Sequence, residues 1–427
     1  MEKIDSLIIN SSAIHTCASG GRAKKGVEML ELGTILGGAI AIRNGLILEI
    51  GPQSDLRKKF SPEKVIDAQG RSVCPGFVDP HTHIVYVGDR INEFEQRISG
   101  KSYMEIMASG GGIMSTARSV RSASLEEIVS ESLNRTEAML DNGVTTLEVK
   151  TGYGLDTINE LKLLRAIELL AERTPITIIP TFLGAHAVPT EFKHRAEEYV
   201  ELVINEMLPQ AWRWYEKSFF YTRTPFFCDV FCEQNAFTAG QTDRIFSKAV
   251  DLGFKIKLHT DEFTDIGGMD IALKYKATSV DHLDVTSSES QTKLANSESV
   301  GVILPGVNFN LGSLHFADGR SLIDKGCAVA LSTDINPGSS PTPSIPLIMA
   351  IASRYQKLMP AEALNACTIN AAFAVGLEKR VGSLETGKQA DILILAESDY
   401  RKLIYEFGRD HIRMVIKNGE VIRDKTY

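Results

Sequence analysis

No stretch of this 427-residue chain is apolar for the roughly 20 residues that a helix needs to cross a bilayer. The most apolar run, ILGGAIAI, ends at Arg43. The opening MEKIDSLIIN carries charges through its short apolar run, so a secretory leader is not expected and a cytoplasmic location is. Cysteine is sparse and scattered. Cys17, Cys74, Cys228, Cys232, Cys327 and Cys367 form no CxxC pair, which excludes a dense disulfide framework and predicts reduced thiols. The two in CDVFC alternate as in a strand and read as packing. Basic excess is missing too. A formal charge of −8 argues against a nucleic-acid footprint. It does not argue against a small anion, because one arginine can set the field in a pocket. Histidine is scarce, at nine residues, so the pair that ends PGFVDPHTH (75–83) needs a reason.

The composition, 43% apolar and 23% charged, is that of a soluble globular protein. The two ends of the chain look alike. AIAIRNGLILEIG alternates around Asn44-Gly45, and IRMVIKNGEVI alternates around Asn418-Gly419. Asn-Gly between alternating runs predicts a hairpin with a type I′ turn. ADILIL adds a further strand. A small composite β-sandwich domain built from both termini, residues 1–74 and 376–427, is expected around a large insert, residues 75–375.

The insert has another rhythm. Eight short apolar runs alternate with helical stretches: GFVDPHTH, VTTLEVK, ITIIPTFLGAH, FCDVFCE, KIKLHTDE, TSVDHL, VGVILPG and AVALSTD. Between them LEEIVSESLNRTEAMLDNG places Leu125, Ile128, Val129 and Leu133 on one face. Ser124 and Glu127 form a capping box at its start, and Asn142-Gly143 close it. NELKLLRAIELLAER and AEEYVELVINEMLPQAW read as further helices. The fold class is α/β, a (β/α)8 TIM barrel of parallel strands buried on both faces.

Function in such a barrel sits at the C-terminal ends of the strands. Polar residues gather there: His81 and His83 on strand one, His186 on strand three, His259 and then Glu262 on strand five, His282 on strand six, Asp334 on strand eight. Five of the nine histidines share this rim; His15, His194, His315 and His411 do not. Three imidazoles and a carboxylate suit Zn²⁺ or Fe²⁺ and leave room for water. A two-metal site would need a bridging ligand, usually a modified lysine at the end of strand four. That strand reads DVFCEQN, so one metal is expected. Lys150, on strand two, reads as an ion-pair or structural residue. SGGGI (109–113), in the long connection after strand one, offers permissive backbone.

PGFVDPHTH, the strand-five histidine, VDHL, LSTD and the tail TINAAFAVGLEKRVGSLETGKQADILIL resemble the metal-dependent amidohydrolase superfamily. GDRINEF, SYMEIMASGGGI, EVKTGYGLDTINELKLLR, PTFLGAHAVP, DVFCEQNAF and STDINPGSSP resemble, more narrowly, the imidazolonepropionase family. The likeness runs from about residue 30 to the C-terminus. It implies one divalent metal, Zn or Fe, on His81, His83, His259 and Asp334. It implies substrate contacts from Arg90, Tyr153, His186, Glu262, Asn336, Gly338 and Ser339, and a catalytic His282. The implied partner is a small anionic substrate, with no nucleic acid and no membrane; a homodimer is also implied.

The implied reaction is hydrolysis of the cyclic amide bond of 4-imidazolone-5-propanoate, giving N-formimidoyl-L-glutamate in histidine degradation. Coordination lowers the pKa of water from 15.7 to about 7, so a metal-bound hydroxide is the expected nucleophile. Asp334 is expected to accept and pass on a proton, His282 to polarise the carbonyl oxygen, and Glu262 to orient the ring or shuttle a proton. Arg90 is expected to bind the propanoate; its alternative is a surface pair with Asp89 or Glu93. The ligand set alone fits a nucleobase deaminase equally well. KTGYG, GGGI and NPGSSP separate the two. A catalytically dead barrel would be expected to lose ligands.

Overall fold

The computed structural model describes residues 1–101, 105–106 and 110–425. Parts of SYMEIMASGGGI, residues 102–104 and 107–109, therefore lie outside the described residues. The eight apolar runs all become strands: β1 (Phe77–Asp79), β2 (Val144–Lys150), β3 (Thr177–Ala185), β4 (Phe227–Cys232), β5 (Lys255–Thr260), β6 (Ser279–His282), β7 (Val300–Ile303) and β8 (Ala328–Leu331). Each pairs in parallel with the next along the chain, in one eight-stranded sheet. Every residue of β2 is buried, as a sheet covered on both faces requires. This is the (β/α)8 barrel that the alternation predicts.

Side chains join β1 to β8. The hydroxyls of Ser332 and Thr333 both donate to the Asp79 carboxylate, the latter at 2.6 Å, and the Thr333 N–H donates to it at 3.2 Å. The His83 N–H donates to the Ile335 carbonyl at 3.0 Å. At the opposite end, Val78, Ile179, Phe227, Val300 and Ala328 share a core with Ala371, Ala372 and Val375. The helix Ile369–Ala374 thus seals the N-terminal mouth of the barrel. The Cys228 and Cys232 thiols are buried and unpaired, consistent with a packing role.

The helix Leu125–Asp141 starts where its capping box predicts. Ser124 Oγ accepts from the Glu127 N–H at 3.2 Å, and Glu127 Oε2 accepts from the Ser124 N–H at 2.7 Å. Its buried face is turned slightly from the apolar stripe. Ile128, Val129, Ser132, Thr136, Met139 and Leu140 are buried, while Leu125 and Leu133 are half-buried. Ser132 tolerates this because its hydroxyl donates to the Ile128 carbonyl at 2.6 Å. The run AEEYVELVINEMLPQAW is helical but not uniform. A π turn at Val203–Met207 precedes Pro209, and its wider backbone accommodates the ring and the missing N–H.

The termini build two more sheets. Four strands, Leu46–Pro52, Gly38–Arg43, Glu2–Ile9 and Phe60–Asp67, form the first. The second runs Glu420–Asp424, Ile412–Lys417, Ile392–Leu395, Ser72–Pro75, Ala13–His15 and Thr34–Leu36, mixing both ends of the chain. Ile8, Ile40 and Ile42 of one face Ile392, Ile394 and Ile416 of the other across a common core. Both Asn-Gly turns have positive φ at both positions: 53° and 73° at Asn44-Gly45, 49° and 80° at Asn418-Gly419. The two turns also meet, since a Cβ on Gly45 would fall 2.9 Å from the Asn418 carbonyl oxygen.

Replacing Asp79 with alanine would leave the buried Thr333 N–H and hydroxyl without an acceptor, while Ser332 Oγ keeps the His81 carbonyl at 2.8 Å. Unfolding in urea is expected to show a loss of roughly 3 kcal/mol or more. A loss below about 1 kcal/mol would mean that β1 and β8 stay together without this carboxylate.

Candidate metal centre and substrate cleft

His81 and His83 are not on a strand, contrary to expectation. β1 stops at Asp79, and residues 80–83 continue as irregular chain. The segment is still tied down on both sides. Glu148 Oε2 accepts from the Thr82 N–H at 3.1 Å, the Lys150 N–H donates to the Thr82 carbonyl at 2.9 Å, and Ile335 holds His83. Both imidazoles therefore turn to one point. His81 Nε2 lies 3.5 Å and His83 Nε2 3.4 Å from Asp334 Oδ1, and His259 Nε2 lies 3.4 Å from His83 Nε2.

Those spacings fit a metal. Ligand atoms 2.0–2.1 Å from one tetrahedral ion stand roughly 3.4 Å apart. His81 Nε2 and Asp334 Oδ1 are buried without any hydrogen-bond partner, a costly state that a shared cation relieves. Burial holds the imidazoles of His81, His83 and His282 far below the usual histidine range, so they are neutral, the ligating form. Burial also pushes the Asp334 carboxyl well up, a penalty that a neighbouring cation reverses.

The other ring nitrogen of two imidazoles faces a carboxylate. Asp281 Oδ2 is 2.6 Å from His81 Nδ1, and Asp229 Oδ2 is 2.9 Å from His259 Nδ1. Such pairs fix the tautomer and aim Nε2 at the metal. Asp229 occupies β4, the strand that lacks a lysine. Lys150 reaches across from β2 to donate to it at 2.8 Å, and to Glu148 at 2.7 Å. Lys150 is thus a buried ion-pair residue, as its position on strand two suggests.

A cleft opens above this floor, and the remaining sequence-predicted residues line it: Arg90, Tyr153, His186, Glu262, His282, Asn336, Gly338 and Ser339. Arg90 makes no pair with Asp89 or Glu93. Its Nε donates to Thr116 Oγ1 at 2.9 Å, and its Nη2 is buried without a partner. Gly338 is what admits it: a Cβ there would lie 2.2 Å from Arg90 Nη1. Asn336 is committed to its own turn. Its Oδ1 accepts from the Gly338 and Ser339 N–H groups, both at 2.8 Å, and its Nδ2 donates to Ser339 Oγ at 2.9 Å. In the glycine segment, the Gly111 and Gly112 N–H groups already donate to Ile106 and Glu93.

His282 ends β6 with φ at +86°, and Asp334 has φ at +48°. Residues other than glycine pay about 1–3 kcal/mol for such backbone, and strain of this kind clusters at functional sites. His282 Nε2 lies 3.8 Å from Glu262 Oε2. Burial, then Asp334, Asp284 and Glu233, push the Glu262 carboxyl well above its ordinary range. His186 sits just beyond β3. Its Nδ1 is 2.9 Å from the Gly152 carbonyl, its ring stacks on His83 at 5.0 Å, and burial lowers its pKa to about 3.

Residues 235–422 match the profile of the amidohydrolase family. Imidazolonepropionase of Chloroflexus aggregans is 52% identical over 99% of this chain and 99% of its own. Imidazolonepropionase of Herpetosiphon aurantiacus is 47% identical over 99% and 98%. The chain belongs to the imidazolonepropionase family. Among solved structures, E. coli guanine deaminase superposes with a TM-score of 0.74 at 16% identity, over 99% of both chains. A Xanthomonas campestris adenosine deaminase with bound zinc gives 0.71 at 18%, over 99% of this chain and 94% of that one. At such identities these two show the shared fold. No helix among the described residues is long and apolar enough to cross a membrane.

In this family member, sequence reasoning passes over the support beneath the site: Glu148, Asp229, Asp281, Glu160 and Glu233. Parity is the signal that could have found some of it. Glu148 and Lys150, Ser279 and Asp281, and Lys257 and His259 each stand two apart in otherwise apolar strands, so each pair faces the same way, into the barrel. Glu160 and Glu233 carry no such mark. Glu160, in the helix Thr157–Arg173, accepts from the N–H groups of Gly152, Gly154 and Leu155 at 3.0, 2.7 and 2.8 Å, fixing the loop that carries Tyr153. Glu233 accepts from the Phe263 and Thr264 N–H groups at 3.0 and 3.1 Å, beside Glu262. Substituting Glu160 by alanine is expected to speed hydrogen exchange at Gly152, Gly154 and Leu155 at least tenfold. Unchanged protection there would assign the order of the loop to other contacts.

Proposed function

We infer that this chain hydrolyses 4-imidazolone-5-propanoate to N-formimidoyl-L-glutamate, a ring opening in histidine degradation. The observation that carries it is full-length identity of 52% to an imidazolonepropionase. Arg90 supports it, with a buried and unpartnered guanidinium nitrogen facing the cleft beside the histidine cluster. A charged donor in that state calls for an anion, and the substrate's propanoate supplies one.

His81, His83, His259 and Asp334 would hold one divalent ion, zinc or iron, since imidazole and carboxylate suit both. When bound, the ion supplies an acidified water and a Lewis acid for the carbonyl. The chain's own residues do the rest. Arg90 anchors the propanoate, and the turn built by Asn336, Gly338 and Ser339 closes that end of the cleft. Tyr153 and His186 flank the ring. Asp334 accepts a proton from the attacking water and returns one to the leaving ring nitrogen. His282 polarises the carbonyl oxygen as charge develops on it, a kind of stabilisation worth several kcal/mol. Glu262, which burial holds toward its neutral form, hydrogen-bonds the ring nitrogen. The C–N bond breaks, water's oxygen ends in the new carboxyl group, and one proton ends on the released nitrogen.

Purified protein is expected to consume imidazolone propionate without releasing ammonia; deamination of a nucleobase instead would overturn the assignment. Arg90→Ala should raise KM at least tenfold with kcat largely kept, and an unchanged KM would remove Arg90 from carboxylate binding. Asp334→Asn and His282→Ala should each lower kcat by two or more orders of magnitude. Near-normal turnover in either excludes that residue from the chemistry. Metal analysis should give one equivalent per chain, and two would contradict the ligand set.

A further inference from the structure

We propose that Lys150 is the positioning residue of the metal centre: one buried ammonium that holds the carboxylates fixing His81, Thr82 and His259. The proposal rests on the ligand set given above and goes beyond it, to what keeps those ligands in place.

Lys150 is fully buried, and its ammonium pairs with Glu148, Asp229 and Asp281 rather than with the proposed ligands. It acts at one remove, along three paths. Through Glu148, to which its Nζ donates at 2.7 Å, it reaches the backbone between the two paired histidines, because Glu148 Oε2 accepts from the Thr82 N–H at 3.1 Å. Through Asp229, at 2.8 Å, it reaches His259, whose Nδ1 lies 2.9 Å from Asp229 Oδ2 and whose N–H donates to Asp229 Oδ1 at 3.1 Å. Through Asp281, at 3.9 Å, it reaches His81, whose Nδ1 is 2.6 Å from the same Asp281 oxygen.

The second buried lysine does not duplicate it. Lys257 Nζ approaches Asp281 to 3.5 Å, but its hydrogen bonds go to Ser279 Oγ at 2.6 Å and to the Ala374 carbonyl at 3.2 Å, toward the sealed end of the barrel. Among the described residues, only the Lys150 ammonium hydrogen-bonds to both Glu148 and Asp229. The carboxylates must stay charged and oriented to hold the imidazoles, and a cation between them does both. Asp229 stands on β4, and the cation comes from β2.

The test is metal affinity of the folded protein, read apart from activity. Wild type and Lys150→Met are stripped of metal, and zinc is titrated in competition with a chromophoric chelator. Circular dichroism and thermal melting of the apo proteins are recorded alongside. Lys150→Met is expected to bind zinc 10–100-fold more weakly with an unchanged dichroism spectrum. A lower melting temperature with wild-type affinity would make Lys150 merely structural and overturn the proposal. If Lys150→Met does not fold, Asp229→Asn, Glu148→Gln and the double variant carry the test. One ammonium serving both carboxylates predicts that the double variant loses less affinity than the product of the single losses. Multiplicative losses overturn it. Wild-type protein that takes up no zinc would refute the ligand set and the hub together, whereas wild-type uptake with unaltered variants refutes the hub alone.

Discussion

Glu148, Asp229 and Asp281 lie fully buried inside the barrel with Lys150 and Lys257 among them. Taking an ion of this size out of water costs several kcal/mol even after relaxation, and the cost is offset only when geometry and hydrogen bonding are good. Here almost every oxygen of the three carboxylates has a named partner. Asp281 receives Ser279 Oγ at 2.5 Å and faces His81. Asp229 receives Lys150 and the His259 N–H. Glu148 receives Lys150, Thr82 and the Thr181 hydroxyl. The polar layer beneath the histidines is therefore a closed network. Removing one partner leaves a buried charge uncompensated, which typically costs 3–5 kcal/mol.

That network divides the molecule into two kinds of site. The barrel floor carries the proposed ligands, two of which face a carboxylate on another strand: His81 with Asp281 and His259 with Asp229. The cleft walls come from connections after the strands, and two of these are organised by one carboxylate each: Glu160 for the Thr151–Leu155 loop, Glu233 for the segment after β5. Backbone amides that look available in the sequence are thereby consumed. Gly111, Gly112, Gly338 and Ser339 all donate within the protein. Among the described side chains that line the cleft, Arg90 keeps its Nη2 buried without a hydrogen-bond partner.

Much of this was legible in the residues. All eight strands, both Asn-Gly hairpins and the Ser124–Glu127 capping box follow from alternation, turn chemistry and helix-end chemistry, which are local. The rim of histidines was legible because a barrel brings the ends of successive strands together. What escaped was the path of the chain at single residues. β1 ends before His81, and the pair is aimed by Thr82 and Ile335 rather than by a strand's pleat. The helix Leu125–Asp141 buries Ser132 and Thr136 in place of a purely apolar stripe, because their hydroxyls satisfy themselves on nearby helix carbonyls.

The sequence by itself determined the architecture, the family and the residue types able to hold a metal. These depend on periodicity and on motifs a few residues long, which a chain carries before it folds. Only the tertiary structure decided which carboxylate faces which imidazole, that Lys150 from β2 pairs with Asp229 on β4, and that Arg90, which lines the cleft, ends with a buried, unpartnered nitrogen. Those relations join residue 81, just past β1, to 281 on β6, or 150 on β2 to 229 on β4, strands that are not neighbours in the sheet. Separation along the chain holds no record of them. They arise when closing the sheet forces charged side chains of the same parity into one dry interior, where each must find a partner.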